Sequence, residues 1–138
     1  MGNEDDRLKA AFALLGAIER GDRAALLNAY AETAVQIEHP NRLKPKGDRR
    51  APAQMAEDLA RGKTMLRSER YDVLEATVAG DQVALQVRWT GVLDVAVGAL
   101  NLGDSMLCES GIFLRFQDDK IIEQHNYDCF EDFLTPRT

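Results

Sequence analysis

Polar side chains crowd one segment near the C-terminus, directly after the apolar pair Ile121 and Ile122. If this segment is a β-strand, successive side chains point to opposite faces, so both faces carry polar groups. One face holds Gln124, Asn126 and Asp128, and the other holds Glu123, His125 and Tyr127. Burying amide and carboxyl groups costs free energy unless each is hydrogen-bonded. The segment therefore predicts either water along one face or a polar pocket.

A second group able to exchange a proton lies at the end of another short strand. Its alternation places Val35, Ile37 and His39 on one face, with Gln36 and Glu38 on the other. An imidazole changes its protonation state near neutral pH, which suits it to proton transfer. We therefore take His39 as a candidate acid–base group. The alternative is a histidine that is hydrogen-bonded within the loop that follows the strand.

The connection between the last two strands decides which side chains face inward. The segments MLCESGIFLRF and IIEQHNYDCF flank the polar turn QDDK, which predicts a β-hairpin. With a bulged three-residue connection, one face carries Met106, Cys108, Ser110, Ile112, Gln124, Asn126 and Asp128. With a two-residue connection, Cys108 lies opposite Cys129 and His125 turns inward. The two pairings differ by one residue, and that shift exchanges the two faces of the strand.

Size and charge limit the classes of function. The 138 residues predict a single domain, 1–138, with a sizeable core. A net charge of −6 argues against sequence-independent binding to nucleic acid or to an anionic membrane. The acidic N-terminal segment is not a signal peptide, and no apolar run approaches the roughly 20 residues that cross a bilayer. We expect a cytoplasmic protein with two reduced cysteines, whose spacing predicts no metal site.

Three helices are predicted in the first half of the chain. Apolar side chains at spacings of three and four predict a helix over about residues 5–19, which Gly21 ends in the left-handed conformation. Asp22 then caps a second helix. Pro52 suits the first turn of a third helix, which extends to about Arg61.

Strands dominate the remainder. Residues 67–79 and 82–94 form two strands around a turn at Gly80, and residues 95–104 form a loop over the end of the sheet. The order is helix, helix, strand, helix and then four long antiparallel strands. This order predicts an α+β domain whose helices cover one face of a curved sheet and enclose one cavity.

Several segments resemble the nuclear transport factor 2-like superfamily, and within it the SnoaL-like polyketide cyclases. They are the helix–Gly–Asp–helix start at Arg20 to Leu27, then YAETAVQIEHP, AGDQVALQVRWTG, LNLGDSMLCESGIFLRF and DDKIIEQHNYD. The resemblance implies a cone-like α+β roll, with three N-terminal helices on a strongly curved, mostly antiparallel sheet around a pocket. It also implies dimers formed through the outer sheet face. It leaves function open, because members include isomerases, cyclases, dehydratases, epoxide hydrolases and proteins without chemistry.

The resemblance favours the bulged hairpin and assigns two roles. In the cyclases an aspartate late on the terminal strand is the acid–base group, and Asp128 is the matching position. The family's turn glycine falls near Asp119, and aspartate tolerates the left-handed conformation. Where ketosteroid isomerases carry an aspartate base, this chain has His39. The oxyanion donors of those isomerases fall near Leu14 and Ile112, which are apolar, so the usual steroid isomerisation is not expected.

Two functions of different classes follow. The first is a cofactor-independent enzyme of the isomerase, cyclase or dehydratase type, which transfers a proton on a small, largely apolar carbonyl or enol compound. In it, His39 and Asp128 face each other across one cavity and share the acid and base duties, and Gln124 and Asn126 position the substrate. The second is a non-catalytic dimeric domain that binds a hydrophobic ligand or a protein partner. The residues expected to contact the ligand are Tyr30, Trp89, Cys108, Ile112, Gln124 and Asn126.

The opposite face of the sheet predicts an assembly. Its expected members are Gln86, Arg88, Thr90, Glu109, Phe113, Arg115 and His125. An exposed Phe113 on this face is unfavourable in a monomer, because its ring would be in contact with water. We therefore expect a homodimer that buries it.

Overall fold

The computed structural model describes residues 3–136, and it begins with the longest helix, α1 (Glu4–Arg20). The side chain of Asn3 caps this helix by accepting a hydrogen bond from the backbone N–H of Asp6. Gly21 ends it with a φ of 68°, the left-handed conformation that glycine adopts without steric cost. Both ends lie close to the predicted ones because local side-chain chemistry determines them.

The next two helices also begin at predicted residues. Asp22 caps α2 (Arg23–Ala29), and Pro52 occupies the first turn of α3 (Pro52–Met65). Helix α3 continues beyond its predicted end at Arg61. Within residues 3–136, none of the helices combines the length and the apolar composition needed to cross a bilayer.

Six strands form one strongly curved sheet. They are β1 (Tyr30–Glu38), β2 (Asp48–Arg50), β3 (Leu66–Ala79), β4 (Gln82–Leu93), β5 (Ser105–Gln117) and β6 (Lys120–Phe130). Their order across the sheet is β2-β1-β6-β5-β4-β3. The predicted α+β architecture, with three helices packed on a mostly antiparallel sheet, is confirmed.

One strand pairing was not predicted. Strands β1 and β6 are parallel neighbours, whereas the other adjacent pairs are antiparallel. The two strands are far apart in the sequence, so no turn between them indicates in the sequence that they pair. The pairing aligns Gln36 with Gln124 and Glu38 with Asn126. This alignment determines which side chains of β1 point toward the protein interior.

The β5–β6 hairpin has the bulged pairing. Its turn contains two residues, and Asp118, not Asp119, has the positive φ, at 55°. The extra residue enters as a bulge just beyond the turn, where the pairing shifts register. Past the bulge, Ser110 lies opposite Asp128, as the favoured register predicted.

Two apolar clusters hold the helices on the sheet. The larger joins Leu14 of α1 to inward side chains such as Val83 and Leu114. The smaller cluster packs Leu93 against Leu100, Met106 and Phe133. Burying each of these side chains contributes on the order of 1.5–3 kcal/mol. Members of both clusters also line the cavity described below.

Candidate active site

A cavity with two adjoining lobes, of about 240 and 310 Å³, lies between the helices and the inner sheet face. The first, here the charged lobe, alone contains the polar residues Gln36, Glu38, Arg50, Asp58 and Gln124. The second, the apolar lobe, alone contains Trp89, Leu93, Val95, Val97, Met106 and Phe130. The lobes meet at a waist formed by residues that line both: Gly62, Leu66, Glu69, Tyr71, Ile112, Asn126 and Asp128.

Asp128 is the acid–base candidate at the waist. Ser110 lies opposite it on β5, and Ser110 Oγ donates a hydrogen bond of 2.6 Å to Asp128 Oδ1. Burial raises the pKa of Asp128, and the hydrogen bond from Ser110 opposes this only in part. The carboxyl can therefore exchange a proton at a higher pH than an ordinary aspartate.

A chain of hydrogen bonds orients the amide of Asn126 beside Asp128. The buried Tyr30 hydroxyl donates to Gln124 Oε1 over 2.5 Å, and Gln124 Nε2 donates to Asn126 Oδ1 over 2.8 Å. Burial raises the pKa of Tyr30, so this hydroxyl stays protonated and starts the chain as a donor. Because the oxygen of Asn126 accepts in this chain, its Nδ2 group remains available to donate a hydrogen bond to a ligand.

Tyr71 brings a hydroxyl to the waist from β3. Burial, and then the negative charges of Glu69 and Asp128, raise the pKa of this phenol. The hydroxyl is therefore protonated and can donate a hydrogen bond. Within residues 3–136, no group accepts a hydrogen bond from it, so a ligand oxygen at the waist can do so.

An ion-pair network forms one wall of the charged lobe. Arg50 donates to Gln36 Oε1 over 2.9 Å and to Asp58 Oδ2 over 2.8 Å, and its Nη2 lies 3.8 Å from Glu38 Oε2. Burial opposes ionisation of Asp58, but hydrogen bonds from Arg50 and Gln54 outweigh it and hold the pKa of Asp58 below its ordinary value. The guanidinium of Arg50 is thus engaged by protein groups.

Glu69 is the second carboxylate at the waist, and protein partners hold both of its oxygens. Trp89 Nε1 donates to Glu69 Oε1 over 3.0 Å, and Lys63 Nζ lies 3.2 Å from Glu69 Oε2. These contacts fix the indole of Trp89 in the wall of the apolar lobe. We therefore regard Glu69 as a positioning residue and Asp128 as the acid–base candidate.

His39 does not lie in the cavity, and the prediction that it faces Asp128 across a pocket is wrong. Its ring stacks on Tyr127 at a centroid distance of 4.1 Å, and its Nε2 lies 2.9 Å from His125 Nδ1. The cause is the parallel pairing of β1 with β6, which turns Gln36 and Glu38 inward. Val35, Ile37 and His39 then occupy the outer face of the sheet.

Five of the six residues predicted to contact a ligand line the cavity, and one does not. Trp89, Cys108, Ile112, Gln124 and Asn126 line the cavity. Tyr30 does not, because its ring is packed in the core and its hydroxyl is engaged by Gln124. The expectation of direct contact from Tyr30 is therefore wrong, and its influence on a ligand passes through the amide chain.

Cys108 is not suited to be a nucleophile. Burial raises the pKa of its thiol to about 12, although a hydrogen bond with Ser110 opposes the shift. Its Sγ lies 3.4 Å from Ser110 Oγ, and the only two histidines of the chain lie on the outer sheet face. Within residues 3–136, no cluster of three or more His, Cys, Asp or Glu side chains is placed to hold a metal ion.

Several site residues escaped the sequence analysis: Glu38, Arg50, Asp58, Glu69 and Tyr71. Register shifts interrupt β3 near Leu66 and Val73, so simple alternation does not reveal that Tyr71 faces inward. The alternation in β1 did separate Gln36 and Glu38 from the apolar residues. The alternation alone predicts that Gln36 and Glu38 face outward, because apolar side chains ordinarily point to the core.

Comparison with known proteins agrees with this architecture. Among solved structures, IdmH of Streptomyces antibioticus, a proposed polyketide cyclase, superimposes with a TM-score of 0.75 at 18% identity, covering 88% of this chain and 91% of its own. AclR of Streptomyces galilaeus, a proposed hydroxylase, gives 0.75 at 17% identity, covering 91% and 76%. An LEH-like epoxide hydrolase of M. tuberculosis gives 0.68 at 16%, covering 93% and 84%. At such identities these likenesses establish the fold alone.

Sequence comparison defines the family. No curated protein sequence gives a significant match. The family model for the SnoaL-like domain matches residues 10–124, which is most of the chain and extends from within α1 to the first half of β6. The chain therefore belongs to the family of SnoaL-like domains.

Proposed function

We propose that this protein is a cofactor-independent enzyme that transfers a proton on a small, largely apolar carbonyl or enol compound, with Asp128 as the acid–base group. The observation that carries the proposal is the placement of this carboxyl. It lies at the waist of a cavity, its pKa is raised by burial, and two hydrogen-bond donors share the waist with it. These donors are Asn126 Nδ2 and the Tyr71 hydroxyl.

The chemistry follows from these three groups. The ionised carboxylate of Asp128 takes a proton from the carbon next to the substrate carbonyl, and the electron pair of the broken C–H bond moves to the oxygen. Tyr71 and Asn126 donate hydrogen bonds to this oxygen as it becomes an enolate. Asp128 then returns the proton to another carbon in an isomerase, whereas in a lyase the enolate expels a leaving group.

This mechanism assigns both proton steps to one carboxyl. His39 takes no part in it, because its imidazole lies on the other face of the sheet. A single carboxyl can perform both steps in turn. Solved neighbours assigned as a polyketide cyclase and an epoxide hydrolase support a catalytic use of this cavity.

The test measures proton exchange without requiring knowledge of the natural substrate. The protein is incubated with a panel of cyclic ketones and diketones in deuterium oxide, and exchange of the acidic C–H groups is followed by NMR. We expect Asp128→Asn to reduce the catalysed rate by roughly 10²–10⁴-fold. Tyr71→Phe should reduce it by about 10²–10³-fold, because it removes one donor. His39→Gln is the matched control and should exchange at the wild-type rate.

Two outcomes contradict the proposal. One is exchange that survives in Asp128→Asn at the wild-type rate. The other is a loss in His39→Gln as large as in Asp128→Asn, since His39 does not touch the cavity. Circular dichroism of each variant separates a loss of chemistry from a loss of fold.

A second candidate function is supported by a different observation. The inward polar row of β6 consists of Gln124, Asn126 and Asp128, and protein groups form hydrogen bonds with all three. Tyr30 bonds to Gln124, Gln124 to Asn126, and Ser110 to Asp128. Polar side chains whose hydrogen bonds are formed within the protein can be buried without a catalytic role. A non-catalytic domain that binds a hydrophobic ligand is therefore the alternative. Mass spectrometry of molecules that co-purify with the protein, combined with an absence of exchange in wild type, would favour it.

We also propose that the protein is a homodimer formed through the outer sheet face. Two large aromatic side chains lie exposed there in edge-to-face contact, Phe113 with 40% and Tyr127 with 46% of its surface accessible. His39 stacks on the second of them. Burying this apolar surface against a second copy would stabilise the association. A cytoplasmic setting, in which both cysteines remain thiols, completes the proposal.

A further inference from the structure

A buried glycine interrupts the inward face of β4. Trp89 and Leu93 line the apolar lobe from this face, and Gly91 lies between them in the strand. Glycine in the interior of a strand ordinarily weakens it. The backbone does not require glycine here, because φ at Gly91 is not positive. The reason for a glycine at this position is therefore the space that its missing side chain leaves.

The indole of Trp89 occupies that space. A Cβ placed on Gly91 would lie 2.5 Å from Cη2 and 2.7 Å from Cζ2 of the indole, and 3.1 Å from Cδ2 of Leu66. Ordinary contacts between carbon atoms are roughly 3.5–4.0 Å long. Because the indole is rigid, an added methyl group would displace the whole ring. Gly91 thus allows the ring of Trp89 to lie against the sheet.

Neighbouring side chains hold the indole in this position. Glu69 lies opposite Gly91 on β3, and its Oε1 accepts the hydrogen bond from Trp89 Nε1 over 3.0 Å. Lys63 Nζ lies 3.2 Å from the other oxygen of that carboxylate. On the side away from β3, Phe130 meets the indole edge to face, with ring centroids 6.3 Å apart. A ring displaced from Gly91 therefore moves into the apolar lobe.

We propose that Gly91 and Trp89 determine the longest ligand that the apolar lobe accepts. Trp89 lies opposite Tyr71 of the waist, and Leu93 lines the same lobe four residues further along β4. A chain that extends from the waist toward Leu93 passes along the face of the indole, so a ring raised from the sheet shortens its path. This inference rests on the proposed function only for the carbonyl group that it places at the waist.

The test measures how a homologous series of linear methyl ketones binds, by isothermal titration calorimetry. The carbonyl group binds at the waist, and the alkyl chain enters the apolar lobe. With the wild-type protein, affinity should rise roughly fourfold for each added methylene until the chain fills the lobe. Gly91→Ala should leave binding of the shortest ketones unchanged. It should weaken binding of the longest ketone that the wild type accepts by about tenfold or more, because the displaced indole excludes the end of the chain.

A double variant isolates the contact between the two residues. Trp89→Phe lacks the ring atoms that lie nearest to Gly91, so it should accept longer ketones than the wild type does. In that background Gly91→Ala should have little further effect, because the added methyl group then has room. Gly111→Ala is the matched control. Its glycine also lies within a strand without a positive φ, and a Cβ there comes no closer than 3.4 Å to Phe113. This variant should bind the whole series as the wild type does.

Three results overturn the inference: an unchanged length limit in Gly91→Ala, an equal loss in the Trp89→Phe background, or a wild type that binds no ketone. If circular dichroism shows that Gly91→Ala does not fold, Trp89→Phe decides alone, and a limit no longer than that of the wild type contradicts the inference. Proton exchange of the bound ketones tests the proposed function separately. A shifted length limit without exchange upholds the inference and contradicts the proposed function, and exchange without a shifted limit does the reverse.

Discussion

At the scale of single residues, Asp128 is destabilising when it is charged. Burial raises its pKa, so the folded protein holds this proton at a higher pH than the unfolded chain does. The stabilising contribution of the protonated carboxyl is complete below the ordinary aspartate pKa of about 3.9. It is lost as the pH rises through the pKa of the folded state. The ionised carboxyl of Asp128 therefore weakens the fold.

This sign leads to a stability prediction for Asp128→Asn. The variant should have a larger free energy of unfolding than wild type near neutral pH, because it removes a buried charge. The difference should disappear below about pH 4, where wild-type Asp128 is protonated in both states. Urea unfolding at a series of pH values measures this. A variant that is less stable than wild type near neutral pH would contradict the account.

Ser110 is predicted to tune the same carboxyl. Its hydroxyl donates to Asp128 and favours the ionised form, so Ser110→Ala should raise the pKa of Asp128 further. The acidic limb of the pH–rate profile for proton exchange should then shift to higher pH. Ser110→Thr keeps the hydroxyl and should restore the wild-type limb. Cys129→Ser, at an exposed position, should leave the profile unchanged. A profile that does not move in Ser110→Ala would exclude this role.

At the scale of elements, the β5–β6 hairpin sets which side chains enter the cavity. Its turn holds Asp118 in the left-handed conformation, which L-residues adopt at some steric cost. Asp118→Gly should therefore leave stability unchanged or raise it by up to about 1 kcal/mol. Asp119→Gly is the matched control, because φ is not positive there, and it should destabilise the protein by roughly 0.5–1 kcal/mol. Chemical denaturation distinguishes the two, and the reverse order would contradict the assigned turn.

The pairing of strand β1 determines which of its side chains reach the cavity. Because it lies parallel to β6, its polar side chains Gln36 and Glu38 meet the polar inward row of that strand. The inner face of this region is thus consistently hydrophilic, and Arg50 from β2 completes it. Val35 and Ile37 of β1 are consequently on the outer face, together with His39 and the exposed aromatic residues.

At the scale of the whole molecule, the outer sheet face is the proposed contact between two copies. Replacing Phe113 by glutamate places a charge among the exposed aromatic side chains of this face, so Phe113→Glu should convert a dimer to a monomer. Light scattering with size-exclusion chromatography measures the mass. Leu74→Glu, at another exposed apolar position on β3, is the control and should remain dimeric. A wild-type protein that is monomeric at micromolar concentrations would contradict the proposed assembly.

The sequence by itself determined the features that depend on neighbours in the chain. The helix boundaries follow from Asn3, Gly21, Asp22 and Pro52, whose effects extend over a few residues. The hairpin follows from alternation and a short polar turn, and the family resemblance favoured the register that turns Gln124, Asn126 and Asp128 inward. For these reasons the fold class and the inward position of Asp128 were predicted correctly.

Only the tertiary structure decided the remainder of the site. The side chain of His39 points to the outer face because β1 pairs in parallel with β6, a strand far away in the sequence. The side chain of Tyr71 points inward between two register shifts in β3. These shifts interrupt the regular alternation of inward and outward side chains that a sequence pattern can predict. The engagement of Arg50 depends on β1, β2 and α3 meeting at one end of the cavity. Such positions depend on which strands become neighbours, and local side-chain preferences do not encode that choice.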